Sequence, residues 1–216
     1  FFSIPYLKSR AIVINCNGFC PSCGHSLNMT ENKTLIIVDL QKDFYDPHGS
    51  LHVSGAEVLP ARIASFVKEY DNVFFTLDWH PLDHCSFTQQ GGIWPAHCVE
   101  YSWGASLPDE VLNALDSSRQ IISYYHKGDR SYREEYAAYL NIRDNELKIL
   151  RGSDRIDVCG LCGDYCVGLT AKRLVELGLK DKMVLLMDCI GSLDGGKVLN
   201  GIIEEDGLCN ISKLGR

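Results

Sequence analysis

Cys166 has the strongest case in this sequence for acting as a nucleophile. It lies a few residues past an apolar run and at the expected start of a helix, where backbone N–H groups and the helix dipole favour a thiolate. Taken alone, one cysteine among ten is more often a small buried hydrophobe. Asp39 closes the apolar run Leu35-Ile-Ile-Val38, so its carboxylate would emerge from a central strand into a partly desolvated edge. Burial there raises its pKa and makes it a usable proton acceptor. Asp39 could equally be a turn or N-cap aspartate. Lys127 follows Ile121-Ile-Ser-Tyr-Tyr-His126 and precedes Gly128, at a strand end that could face the same edge. A lone lysine is more commonly a solvated surface group.

A second group of residues suits a metal ion. Asp78-Trp-His80 sets a carboxylate and an imidazole two residues apart, on one side of an extended segment. Trp94-Pro-Ala-His97 supplies a second imidazole, and His84 is a further candidate ligand or a lining residue. Mixed His and carboxylate donors with waters completing the shell suit one divalent ion, Zn²⁺ first, with Fe²⁺ or Mn²⁺ as alternatives. Any single one of these histidines is more often structural.

These residues need a scaffold that brings distant segments to one edge. From Thr34 onward, short β-branched or aromatic runs alternate with longer amphipathic segments, the pattern of βαβ units around a mainly parallel sheet. The strands are expected over 35–39, 73–78, 121–125, 156–161 and 184–188. Helices are expected over 58–70 and 167–178, with Gly178 at a C-cap position. Asp39, Asp78, His80 and Lys127 then fall at or just beyond strand C-termini, the edge where open α/β sheets bind ligands. A three-layer α/β/α domain over 34–216, preceded by an extension over 1–33, is the expected organisation.

Composition agrees with that scaffold. The 216 residues, 45% hydrophobic and 23% charged, are enough for one substantial core, and no apolar run reaches the ~20 residues of a membrane helix. A net charge of −7 with 21 scattered basic residues argues against a nucleic-acid partner. Ten cysteines with no recognisable secretion signal fit reduced thiols and a cytoplasmic location.

Five ordered segments together resemble the nicotinamidase branch of the isochorismatase-like cysteine hydrolases. They are Val38-Asp39-Leu-Gln-Lys-Asp43-Phe44, Asp78-Trp-His80-Pro-Leu-Asp-His84-Cys-Ser-Phe87, Trp94-Pro-Ala-His97-Cys-Val99, His126-Lys127-Gly128 and Gly160-Leu-Cys-Gly-Asp164-Tyr-Cys166-Val-Gly-Leu-Thr170-Ala171. The resemblance implies a catalytic triad of Asp39, Lys127 and Cys166, and a metal held by Asp78, His80 and His97. It implies that nicotinamide is the substrate, its ring nitrogen on the metal and its ring flanked by Phe44 and Trp94. It also implies an oxyanion hole from the backbone N–H groups of Cys162 and Cys166, with a cis peptide at Leu161–Cys162. His84 matches a position that is a ligand in some members only. Homo-oligomers are compatible with the resemblance.

Some features stand apart. Position 162 is Cys where a small Ala is common, and the segment after Lys127 follows the usual spacing loosely. Cys16, Cys20 and Cys23 have the spacing of a radical iron–sulfur motif and, with His25, that of a zinc knuckle. Neither is complete, so unliganded thiols are the expectation. Within the fold the rivals are a metal-free isochorismatase or carbamoyl-amide hydrolase. A non-catalytic binding protein on the same scaffold is the rival from another class.

Overall fold

A computed structural model of the chain describes residues 31–212. The Cys16, Cys20, Cys23 and His25 cluster lies outside the described residues.

In chain order the elements are β1 Lys33–Val38, α1 Lys42–Tyr45, α2 Leu59–Ala64, β2 Asn72–Asp78, α3 Asp109–Ala114, β3 Ile121–Lys127, α4 Asp144–Gly152, β4 Arg155–Gly160, α5 Gly168–Glu176, β5 Met183–Ile190, α6 Lys197–Asp206 and β6 Cys209–Ile211. Among the described residues six strands form one sheet in the order β3-β2-β1-β4-β5-β6, and every pairing between them is parallel. A parallel sheet must be covered on both faces, and the central strands show it as side chains alternating between two cores. Leu35 and Ile37 of β1 pack with Val73, Phe75, Ile63 and Val111 on one face. Ile36 and Val38 pack with Phe74, Leu150, Ala171 and Leu174 on the other. The three-layer α/β/α architecture follows directly. Among the described residues no helix is long and apolar enough to cross a membrane.

The helix expected over 58–70 is broken into a 3₁₀ turn Ala56–Val58, α2, and a second 3₁₀ turn Val67–Glu69. Pro60 suits the first turn of α2, and at its far end the Ser65 hydroxyl donates to Arg62 O at 2.6 Å, a local bond that competes with helix continuation. The helix expected over 167–178 begins one residue later, after a π-turn Gly163–Val167, and Gly178 ends it at φ +77° as anticipated.

The strand order reverses between β1 and β4, which leaves a crevice at their C-terminal ends. Asp39 follows β1 and Cys166 follows β4, so the crevice lies between those two residues.

Candidate active site

Asp39 is not the last residue of its strand but the first beyond it, in the left-handed region at φ +46°. That sharp turn sends its carboxylate sideways toward β2 and β3. Oδ1 accepts from Thr76 Oγ1 at 2.8 Å and Oδ2 lies 2.8 Å from Lys127 Nζ. Lys127 ends β3 in register with Asp78 at the end of β2, and the two side chains form a direct ion pair. The lysine has no exposed surface and its Nζ also meets Cys166 Sγ at 3.4 Å. A buried ammonium is tolerable only because two carboxylates face it. The surface-lysine alternative is excluded by this burial.

Cys166 reaches the same point from β4. That strand closes tightly on β1 at Gly160, where φ is +113° and a Cβ would stand 2.0 Å from Val38 O, so glycine is required. A cis peptide at Leu161–Cys162 follows, as expected, and then the π-turn, in which Val167 N donates to Cys162 O at 2.9 Å. The turn carries Cys166 into the crevice, where one side-chain atom each from Asp39, Asp78 and Cys166 lie within 4.8 Å of one another.

The electrostatics follow from burial with few compensating charges. Burial raises the Asp39 carboxyl to about 6, with Lys127 opposing the rise. Asp78 is buried too, but Lys127, His80 and His97 outweigh desolvation and hold its carboxyl below the usual range. Desolvation would lower Lys127, yet Asp39 and Asp78 push it well above its ordinary value. The Cys166 thiol is raised well above its ordinary value by burial, despite Lys127. The thiolate expected from its position at a helix start is therefore corrected. Burial beside two carboxylates works against the thiolate and favours the neutral thiol.

Asp78 also faces the second cluster. Its Oδ2 lies 3.6 Å from His80 Nε2 and 3.8 Å from His97 Nε2. The outer nitrogens donate to backbone carbonyls, His80 Nδ1 to Gly128 O at 2.9 Å and His97 Nδ1 to Pro95 O at 2.8 Å. A carbonyl can only accept, so each ring holds a proton on Nδ1, which leaves Nε2, the atom facing Asp78, as the one that could bind a metal once it gives up any proton of its own. Three ligands of a tetrahedral ion with bonds of about 2.1 Å would be about 3.4 Å apart, so the donor set fits a divalent ion with little adjustment. His84 stacks on His80 at 4.1 Å, but its Nδ1 is bonded to Ser86 Oγ at 2.7 Å and its Nε2 to Arg133 O at 3.0 Å. It is near His80 and Glu134 and is not part of the Asp78, His80, His97 group.

Two supporting residues explain why this geometry is held. Gln41 is fully buried and clamps the Asp78 backbone, accepting from its N–H at 2.8 Å and donating to its carbonyl at 2.7 Å. Gly128 has φ +66°, and a Cβ there would lie 2.4 Å from His80 Cε1. Gly128→Ala should therefore displace the His80 ring and weaken binding of any divalent ion at the Asp78, His80 and His97 group about 10- to 100-fold, as loss of an outer-shell support does elsewhere. Titration of the apo protein with Zn²⁺ against a competing chelator measures this.

Above the two clusters is a narrow cleft with about 300 Å³ of atom-free space. Phe44 and Trp94 line it as expected, and Asp78, His97, Cys162 and Cys166 form its polar end. Sequence reading missed Tyr136 and Tyr165. Trp94 Nε1 donates to Tyr136 OH at 2.9 Å, and the Tyr165 ring lies 5.3 Å from Trp94 and 5.4 Å from Tyr136. Only the adjacency of Tyr165 to Cys166 could have signalled either. A larger surface hollow beside Tyr125, Arg130 and Asn141 contains neither Cys166 nor Asp78.

The fold is that of the isochorismatase domain, whose family model matches residues 33–202. The nicotinamidase of Saccharomyces cerevisiae is 31% identical over 80% of this chain and 94% of its own length. Among solved structures, PnC1 from L. infantum in complex with nicotinate superposes with TM-score 0.71 at 32% identity, covering 84% of this chain and 92% of that one. The pyrazinamidase of Pyrococcus horikoshii in complex with zinc gives 0.70 at 28%, covering 84% and 99%. The chain belongs to the isochorismatase-domain family, in its nicotinamidase branch.

Proposed function

We propose that this chain is a nicotinamidase that hydrolyses nicotinamide to nicotinate and ammonia through a thioester on Cys166. The observation that carries the reading is the meeting of Cys166 Sγ, Lys127 Nζ and Asp39 beside the Asp78, His80 and His97 donors. Asp78, His80 and His97 would hold one divalent ion, Zn²⁺ by its donor set. Bound there, such an ion would supply a Lewis-acidic docking point for the pyridine nitrogen. The zinc in the P. horikoshii relative and the nicotinate in the L. infantum relative support both assignments by likeness.

The protein's own residues account for the chemistry. As the Cys166 sulfur attacks the carboxamide carbon, its proton passes to Asp39, which near neutral pH is ionised and ready to accept it. Lys127 remains protonated and stabilises the negative charge shared by carboxylate and sulfur. The oxyanion lies against the backbone N–H groups of Cys162 and Cys166, a contribution of roughly 3 kcal/mol per donor. Asp39 returns its proton to the amide nitrogen, the C–N bond breaks and ammonia leaves. Asp39 then takes a proton from water as the oxygen attacks the thioester carbon; the C–S bond breaks and the proton returns to Cys166. Phe44, Trp94, Tyr136 and Tyr165 enclose the ring and exclude bulk water.

Because Asp39 must be ionised to accept the proton, kcat/KM should fall about tenfold per unit as pH drops below about 6. It should be level above that, since Lys127 and Cys166 titrate well above their ordinary values. A profile of kcat/KM against pH checks this, and a level acid limb would remove Asp39 as the base.

Nicotinate release fits a role in NAD salvage, and a cytoplasmic location goes with that role. Pyrazinamide offers a ring nitrogen and carboxamide in the same relation and should also be hydrolysed. Parallel assays with nicotinamide, isochorismate and an N-carbamoyl amide separate the readings. Turnover of nicotinamide alone supports the proposal, and turnover of either rival substrate without metal overturns it.

A further inference from the structure

The cleft has an apolar rim that the reaction itself does not use. Leu193 lines the cleft yet is 45% exposed, so this side chain stands at the mouth, while Leu51, also in the lining, is half-buried against the core. The backbone beneath Leu193 is fixed at both ends. Its N–H donates to Asp164 Oδ1 at 2.9 Å, and Gly163 N donates to Gly191 O at 2.8 Å. On the far side the Asp194 carboxylate accepts from the N–H groups of Gly196, Lys197 and Val198 and ties the segment to α6. A Cβ on Gly163 would meet Ser192 Oγ at 2.2 Å, so this segment packs directly on the turn that carries Cys166. The height of the rim above the nucleophile is therefore set by the fold.

The chemistry of the substrate fixes what the rim faces, given the nicotinamide reading on which this inference rests. The carboxamide lies at Cys166 and the ring nitrogen is toward Asp78 and His97. These two positions are meta to each other, so the ring carbon between them faces the floor of the cleft. The carbon opposite, position 5, points out of the mouth.

We propose that Leu193 is a specificity-determining residue that limits the substituent at position 5 of a pyridine-3-carboxamide. The natural substrate class is then pyridine-3-carboxamides that carry only hydrogen there.

The test compares kcat/KM for 5-methylnicotinamide and for nicotinamide in the metal-loaded full chain, its Leu193→Ala variant and its Leu193→Trp variant. In Leu193→Ala the ratio of methylated to plain substrate should rise about tenfold, the scale of one methylene in an apolar pocket, and the change should be in KM. In Leu193→Trp the ratio should fall. Calorimetric binding of 5-methylnicotinate and nicotinate to Cys166→Ala protein, with and without Leu193→Ala, gives the same comparison without turnover. A ratio unmoved in both Leu193 variants, in a preparation that hydrolyses nicotinamide, overturns the assignment of Leu193. A wild-type chain that does not hydrolyse nicotinamide overturns the functional reading, and this inference with it.

Discussion

Cys166→Ala should lower nicotinamide turnover by about 10⁴- to 10⁶-fold, the loss seen when a covalent nucleophile is removed. Among the described residues no other thiol is placed to substitute: Cys162 lines the same cleft, but of the described cysteines only Cys166 contacts Lys127 Nζ, at 3.4 Å, and shares the point where Asp39 and Asp78 meet. The fold should survive, because alanine leaves a space no larger than a sulfur atom in a cleft wall. Zn²⁺ content should also survive, since Asp78, His80 and His97 are unchanged. Steady-state kinetics, metal analysis and a melting curve on the same sample test the three parts together. Loss of activity with loss of metal would assign the effect to the metal cluster and not to the nucleophile.

Lys127→Met should have the second-largest effect, on stability as well as rate. Methionine approximates the lysine's length without its charge, so Asp39 and Asp78 would face each other buried and uncompensated. Removing one partner of a buried ion pair costs about 3–5 kcal/mol. Part of that cost would be avoided by protonation of Asp39, which loses the cation now opposing its rise. The acid limb of any residual kcat/KM profile should accordingly move to higher pH than about 6. Denaturant unfolding near neutral pH measures the first effect and the pH profile the second. Unchanged stability would mean that Lys127 does not neutralise the two carboxylates.

Much of the site was legible because strands end where apolar alternation ends. The run Leu35–Val38 supplies side chains to both cores, so the first polar residue after it has to turn out at the sheet edge, and that residue is Asp39. Asp78 and Lys127 close β2 and β3 in the same way. The state of Cys166 was misread because a helix terminus is visible in sequence, whereas the carboxylates that surround the thiol arrive from other strands. Tyr136 belongs to a segment with no periodicity to place it, and its role depends on Trp94, 42 residues away. Gln41 carries no role that its own segment could signal, since its clamp on Asp78 exists only once β1 and β2 are paired. β6, three residues long and largely exposed, carries no alternation to read.

Ammonia release from nicotinamide by the purified chain, before chelation, after it and after Zn²⁺ is restored, tests the central claim most directly. The expected result is activity that chelation abolishes and Zn²⁺ returns. Absence of activity in folded, Zn²⁺-loaded protein, or full activity that survives complete removal of metal, would contradict it.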